Sequence, residues 1–465
     1  MLCIEGVRAF GLFEQLFKIT IIPESPYLHI FTTMRLSSFL RLDRFSRQLE
    51  VDEHLLTENS TFCIMPWVHL HVTQYGTVAP CCQAPWEEEN SFGNINSSSA
   101  EEIWNGDKMN RFRADMLRGK KDKRCLRCYE KEASNWISLR KITNAKFPHH
   151  LERVKATSKK GEITGYKPVY FDLRFSNVCN FKCRICGPWS SSKWHKDAIA
   201  LGMTSKDQPA ITHAVDPAIL ISELRTNIDE LEEIYFAGGE PLVMNEHYEI
   251  LEMLIVEGKT NVKLLYNTNF SILDYKGHDL IALWKQFPNI NIAASLDASG
   301  LRGEYLRKEQ DWERTVDNRK RIQQELPHVS FMVSPTVYAL NVLHLPDFHK
   351  DWVQQNLIAV EDFIPTMLIQ PEAYNIRVLS LALKQLAKKK YLDHLVWMKE
   401  NFKDSGDTEK MQHAFQQFEN IISHLFANDH SHLLPELEAK TTALDKLREE
   451  NFTATFPELV SLYNS

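Results

Sequence analysis

The sequence predicts an α/β fold. A parallel sheet, either open and doubly wound or curled into a barrel, lies between a small cysteine-bearing α+β region and a helical end. Between about Pro168 and Pro371, six strand-like segments alternate with helical ones. Eight of the nine cysteines fall between Cys63 and Cys186. After Tyr374 the patterning is helical. The chain has 465 residues, 43% of them hydrophobic, and a net charge of −7. This is ordinary globular composition, and it excludes a collagen and a strongly basic nucleic-acid binder. No apolar run approaches the roughly 18 residues of a membrane helix.

Residues 1–58 read as a leader or docking helix, with Phe39, Leu42, Phe45 and Leu49 at helical spacing. The first 23 residues are interrupted by Glu5, Arg8, Glu14 and Lys18 and lack the apolar core of a secretory signal. Clustered cysteines in such a chain point to metal, in a reduced cytoplasmic setting. Residues 59–135 form the cysteine-bearing domain. Val68, Leu70 and Val72 alternate with His69 and His71 before a turn at Gly76, which predicts a strand and hairpin. Ser97 to Leu117 then predicts one helix, with Ile103, Trp104, Met109, Phe112 and Met116 on its apolar side.

Residues 136–167 are expected as a basic helix and linker. From Arg118 to Lys160 there are 14 Lys or Arg against 4 Asp or Glu. The core, 168–371, has strand candidates at 169–175, 233–237, 262–268, 290–296, 328–337 and 357–364, with helices at 247–256, 280–286 and 312–324. Functional groups belong at the C-terminal ends of such strands. In the helical region 372–465, Met411, Phe415, Phe418, Ile422 and Leu425 form an apolar stripe that reads as core.

The strongest chemical signal is VCNFKCRIC, which places Cys179, Cys183 and Cys186 directly after the first strand. Protein-bound 4Fe-4S clusters usually take four cysteines, one per iron. Three would leave one position open, as catalytic metal centres do. A zinc site with a borrowed fourth ligand, or inert thiols, is the alternative. At the end of the second strand stand Gly238, Gly239 and Glu240: two glycines that allow close backbone approach and a carboxylate suited to an ammonium group. On the fourth strand, alternation places Ser295 and Asp297 on one face, and Arg307, whose fork suits a carboxylate, follows after a glycine-containing loop.

Cys-x3-Cys-x2-Cys after a first strand, with Gly-Gly-Glu-Pro ending the second, resembles the radical SAM superfamily over about Val169 to Pro371. The resemblance implies a partial (β/α)6 TIM-type barrel. It also implies a catalytic 4Fe-4S cluster on Cys179, Cys183 and Cys186, with S-adenosylmethionine on its unique iron. Gly238, Gly239, Glu240 and Asn267 would line the cofactor site, Ser295 would contact the ribose and Arg307 the methionine carboxylate. Val337 and Tyr338 would neighbour the adenine. Two departures stand out: Phe270 replaces a glycine after Asn269, and Ile185 replaces an aromatic before the third cysteine. No residue is singled out for the hydrogen-transfer chemistry; Asp297 and Tyr266 are candidates only.

Upstream, Cys63, Cys81, Cys125 and Cys128 suit a closed zinc site and a closed iron-sulfur cluster equally. The surrounding text, FCIMPWVHLHVTQYGTVAPCC followed by FGNINSSSAEEIWN, resembles the SPASM/twitch domain. That implies an auxiliary 4Fe-4S cluster, although in the family this domain usually follows the barrel. Cys82 lies outside the Gly-x4-Cys spacing and reads as a non-ligand, and Cys3 as an incidental thiol. His69 and His71 read as hydrogen-bonding partners rather than metal ligands. The basic stretch reads as an offset to cluster charge or a contact for an acidic peptide.

The resemblance implies an enzyme that cleaves S-adenosylmethionine reductively and modifies a peptide or protein, with an electron donor such as flavodoxin or ferredoxin and no membrane or nucleic-acid partner. Sugar or nucleotide substrates are the alternative within the class. A non-catalytic zinc- or RNA-binding module is the alternative outside it.

Overall fold

A computed structural model describes residues 54–85, 87–133, 137–213, 217–402 and 408–463. The helical spacing at Phe39 to Leu49 lies outside them. The chain divides into two compact units. One comprises residues 77–170 with the described residues up to 71; the other comprises 171–463 with 72–76.

Strand β1 (His69–Val72) runs to the boundary of the first unit, which also holds the antiparallel pair β2 (Thr77–Ala79) and β3 (Gly93–Asn94); Gly76, in the 72–76 segment between β1 and β2, has the positive φ of a turn. The helix expected from Ser97 to Leu117 is two, Ala100–Trp104 and Asp107–Leu117. Ser99 and Glu102 close a capping box on the first. Gly106 is extended at the break, where an added Cβ would stand 2.9 Å from the Glu102 carbonyl oxygen. Residues 136–167, expected as helix and linker, hold the helices Leu139–Lys146 and Leu151–Lys155. Leu139, Phe147, Leu151 and Val154 are buried there.

In the second unit the strands are β4 (Tyr170–Leu173), β5 (Lys182–Cys183), β6 (Glu233–Phe236), β7 (Lys263–Thr268), a small hairpin of β8 (Asp274–Tyr275) and β9 (His278–Asp279), β10 (Ile290–Ala294), β11 (Arg307–Lys308), β12 (Ser330–Val333), β13 (Thr336–Val337) and β14 (Thr366–Met367). The central sheet runs β4–β6–β7–β10–β12, with β6, β7, β10 and β12 parallel. Strand order follows chain order without the reversal of a doubly wound sheet. Of the two sequence readings the barrel type therefore holds, as a partial barrel; among the described residues the sheet does not close. β4 and β6 are buried at every position, the pattern of a parallel sheet covered on both faces.

The expected sixth strand, 357–364, is corrected. Leu357 is bonded back to Trp352 at the end of a helix, and pairing starts only at the Val333–Phe363 bridge. It continues through Thr366 to Pro335 and Leu368 to Val337. Pro335 and Pro365 each remove a donor from this ladder, so it breaks into pieces.

The helical end holds Leu381–Asn401, Thr408–Leu425 and Leu434–Arg448. The predicted stripe is rotated slightly: Ala414 and Ile421 are buried beside Met411, Phe418 and Leu425, whereas Phe415 and Ile422 are half-buried. Among the described residues no helix is long and apolar enough to cross a membrane.

Candidate functional site

The site is assembled from loops at the C-terminal ends of the parallel strands. After β4 the chain turns through Asn177, whose side chain donates to the carbonyls of Pro188 (2.8 Å) and Ala210 (3.1 Å) and closes the base of the cysteine loop. Inside that loop the Phe181 N–H points at Cys179 Sγ (3.4 Å), and the Cys186 N–H donates to the Cys183 carbonyl (3.1 Å). β5 pairs with β11, setting Cys183 opposite Arg307 and Lys182 opposite Lys308. The three thiols converge: the Cys183 thiol hydrogen-bonds to the Cys186 sulfur, which holds Cys186 below the ordinary thiol range and raises Cys183. Burial pushes Cys179 up to about 12, helped by the nearby Glu240 carboxylate.

Gly238 and Gly239, expected at the cofactor site, are packed closely in the structure. Their close neighbour is the chain itself. Gly239 N–H donates to the Ser176 carbonyl and Glu240 N–H to that of Val178. A Cβ on Gly239 would lie 2.0 Å from the Val178 oxygen. Gly238 has φ +122°, a conformation reserved for glycine. The Gly-Gly pair therefore locks the β6 loop onto the start of the cysteine loop.

Glu240 is fully buried. Oε1 accepts from Leu242 N–H (3.0 Å) and the Thr268 hydroxyl (2.6 Å), and Oε2 from Asn269 N–H (2.6 Å). Burial is the main reason its carboxyl is raised to about 7. A carboxylate offers about four lone-pair sites, so one acceptor position remains beyond these three bonds. Asn267, on β7, is buried close to this carboxylate's partners in sequence. Asn269 extends the tie: its amide donates to Asn180 Oδ1 (2.8 Å), and Asn180 donates to Ser271 (2.8 Å). Phe270 keeps the left-handed turn at φ +56° despite its side chain, with its ring buried against Phe331. A bulky residue held there is strained, and such strain collects at functional sites.

Ser295 and Asp297 do not share a strand face. β10 ends at Ala294, and the Leu296 N–H bonds back to Ala294, so alternation stops at a tight three-residue turn. Ser295 is half-buried, with its N–H on the Thr268 carbonyl (2.7 Å). Asp297 is fully buried and receives Arg307 Nη2 (3.0 Å) and Thr336 N–H (2.9 Å). Arg307 Nε lies 2.9 Å from Asp297 Oδ2 as an ion contact rather than an aligned hydrogen bond. Nη1 of Arg307 points to Cys183 Sγ at 3.7 Å. Arg307 thus stands between the cysteine loop and Asp297.

Tyr338 is fully buried beside these groups. Its hydroxyl has no hydrogen-bond partner among the described residues, and burial together with the Asp297 charge raises it well above the ordinary phenol range. Tyr266 faces away, with its hydroxyl bonded to His247 Nε2 and Trp284 Nε1, both at 3.0 Å.

In the other unit, Cys63, Cys81, Cys125 and Cys128 lie close enough that Cys81 senses the charge of the other three. All four are raised chiefly by burial, Cys63 to about 12. Backbone N–H groups of Met65, Gln83 and Arg140 point at the sulfurs of Cys63, Cys81 and Cys128. Cys82 is buried and is not among the free thiols. His69 Nδ1 donates to the Tyr170 carbonyl (3.1 Å). From the basic stretch, Arg140 is buried and donates to Glu132 and to the carbonyls of Asn59 (2.8 Å) and Phe62 (2.7 Å). Sequence reasoning did not separate it from its surface-paired neighbours.

Both thiol sets fit iron-sulfur clusters. In each set the sulfurs converge, and N–H groups aimed at them stabilise cluster-bound thiolate.

Residues 173–337 match the model of the radical SAM superfamily, and residues 63–129 that of the SPASM iron-sulfur cluster-binding domain. No curated protein matches the chain. Among solved structures it is similar to anSMEcpe with bound AdoMet and Cp18Cys peptide (15% identity, TM-score 0.36, 51% of this chain and 61% of that one). It is also similar to Streptococcus suis SuiB bound to S-adenosylmethionine (12%, 0.34, 60% and 58%). The chain spans about three-fifths of the length of these structures. The radical SAM and SPASM matches imply 4Fe-4S clusters and S-adenosylmethionine as cofactors. Residues 173–337 are therefore a radical SAM domain, with a SPASM iron-sulfur cluster-binding domain ahead of it at residues 63–129.

Proposed function

We propose that this chain is a cytoplasmic iron-sulfur enzyme that cleaves S-adenosylmethionine reductively and modifies a peptide or protein substrate. The carrying observation is the convergence of Cys179, Cys183 and Cys186 beside Arg307 and the buried Glu240 at the C-terminal ends of the parallel strands. A 4Fe-4S cluster held by these three cysteines would supply one electron to bound S-adenosylmethionine and so generate a 5′-deoxyadenosyl radical. Arg307 has five N–H donors in a fork, and those beyond Asp297 and Cys183 suit the methionine carboxylate. The remaining acceptor site of Glu240 suits the methionine ammonium. Gly238 and Gly239 hold Glu240 at the cysteine loop, while Asn267 and Ser295 border the ribose side. The unpaired Tyr338 hydroxyl is a polar group awaiting a ligand.

The auxiliary cluster would sit on Cys63, Cys81, Cys125 and Cys128, four ligands without an open position. Arg140 offsets thiolate charge there. The peptide or protein substrate rests on the SPASM region, and an electron donor of the flavodoxin or ferredoxin type on the need for reducing equivalents.

The test is iron and sulfide content after anaerobic reconstitution, then incubation with dithionite and S-adenosylmethionine. About eight irons per chain, as two 4Fe-4S clusters require, with 5′-deoxyadenosine formed, is the expected result. Zinc in place of iron, with no cleavage, would leave a structural metal scaffold.

A further inference from the structure

Between the second and third cysteines of the loop stands Arg184, fully buried, in a place where a spacer residue has no ligand duty. Its backbone N–H donates to the Leu306 carbonyl (2.9 Å), extending the β5–β11 pairing that sets Cys183 opposite Arg307. Its guanidinium reaches the far end of the chain. Nη2 donates to Asp445, and to Glu450 at 2.7 Å; Nε donates to the Tyr305 carbonyl (3.3 Å); Cζ lies 3.6 Å from the Tyr305 ring centroid.

Each acid is itself fixed. Asp445 also accepts from the Tyr305 hydroxyl (2.7 Å) and the Phe452 N–H (2.7 Å). Glu450 also pairs with Lys308 (3.1 Å), the residue after Arg307. Glu450 reaches this position because the helix Leu434–Arg448 ends in Glu449 at φ +56°, a left-handed turn that a non-glycine residue adopts at a cost. A second tie lies beside the first: Arg448 donates to Asp197 (2.8 Å) and stacks on Trp194, whose indole N–H donates to the Cys183 carbonyl (2.8 Å).

We propose that Arg184 is a positioning residue. With Asp445 and Glu450 it makes the C-terminal segment 441–452 a clasp that fixes the cysteine loop against the Arg307 strand, and so sets how S-adenosylmethionine meets the cluster. Two cations, Arg184 and Lys308, face two carboxylates, Asp445 and Glu450, so the clasp is charge-balanced without the thiolates and holds the loop whatever the charge of the cluster. Losing one partner of so buried a set leaves the other charge exposed to an apolar surrounding.

This inference rests on the proposed function, because it requires a cluster on the three cysteines. The experiment uses the full chain reconstituted anaerobically, reduced, and titrated with S-adenosylmethionine while the electron paramagnetic resonance spectrum is recorded. The wild-type spectrum must change with S-adenosylmethionine; if it holds iron but does not respond, or holds none, the functional reading itself fails. Arg184→Gln is expected to keep about eight irons yet need about 10-fold more S-adenosylmethionine for the same spectral change. Arg184→Lys recovers part of that loss, and Asp445→Asn with Glu450→Gln reproduces it and adds nothing to Arg184→Gln. Should Arg184→Gln not fold, Glu450→Gln alone carries the test through the same titration. An unchanged titration at full iron content overturns the clasp, as does an equal loss of both clusters with earlier melting.

Discussion

The two thiol sets differ in how they are built. Cys179, Cys183 and Cys186 come from one loop within eight residues, shaped by local turns and an N–H···S contact and held from outside through Asn177 and Arg184. Cys63, Cys81, Cys125 and Cys128 come from three separated segments, and their meeting depends on the tertiary packing of a whole unit. A local loop can keep its ligands close while an open coordination position is left for a reactant. A dispersed set binds the unit together and closes the metal off. The first arrangement suits a catalytic centre and the second an auxiliary one.

The largest effect should come from removing one thiol in each. Cys183→Ala is expected to abolish 5′-deoxyadenosine formation and lose about four of about eight irons. Its melting temperature should stay within about 4 °C, because the loop is held from outside. Cys128→Ala is expected to lose a similar amount of iron but to melt earlier. Iron analysis with calorimetry on both variants checks this, and equal melting of the two would erase the distinction. The next effect comes from the backbone. Gly239→Ala places a methyl 2.0 Å from the Val178 oxygen, and Gly161→Ala places one 1.8 Å from that of Asn110. Neither neighbour is a side chain that can swing aside. Each change should cost about 3 kcal/mol or more in denaturant unfolding, the first depleting the catalytic cluster and the second the auxiliary one.

What could be read from sequence follows the same division. The three-cysteine loop and Gly238 to Glu240 were legible because each is a short motif at the end of a patterned strand, and Arg307 because it follows the fourth strand after a glycine-containing loop. The strand alternation gave a parallel sheet, and the chain-order pairing seen in the structure then selected the barrel. Legibility ended where geometry departs from period. The Leu296 turn separated Ser295 from Asp297, two prolines broke the sixth strand, and Gly106 split a helix whose apolar spacing ran through the break. It ended again with distance along the chain. Arg184 looked like a spacer because its partners lie 261 and 266 positions away. Arg140 was hidden among basic residues that pair at the surface, and only its burial against Glu132 and two carbonyls distinguishes it.

Arg140 permits a sharper comparison at the auxiliary set. Arg140→Met removes one partner of a buried ion pair, taking from Glu132 its charged partner and from the Asn59 and Phe62 carbonyls a donor, a loss of about 3–5 kcal/mol. Adding Glu132→Gln should recover part of it. Urea unfolding of the single and double variants measures the recovery, and the S-adenosylmethionine titration should stay unchanged in any variant that folds. A shift in that titration would mean that the two thiol sets are not independent.

The smallest effect concerns neither set and so serves as their control. Where the core helix Leu345–Gln354 packs on the helical region, His349 Nε2 faces the Val360 carbonyl (3.0 Å), which only accepts, so this nitrogen carries the proton. Its Nδ1 must then accept from His394 Nε2, 2.8 Å away. Both rings are buried against Phe418. Burial is the chief reason His394 is lowered to about 3 and His349 well below its ordinary value of 6.5. The folded pKa values lie below the unfolded ones, so the stabilisation is complete above about pH 6.5 and declines as pH falls from there toward about 3. Each histidine adds at most about 1.4 kcal/mol per pH unit to that decline. His394→Gln keeps a donor for His349 but does not titrate, so its stability should fall less steeply between pH 6.5 and 5 than the parent's. Parallel slopes in urea unfolding at those two pH values would show that the pair already carries charge in the folded chain.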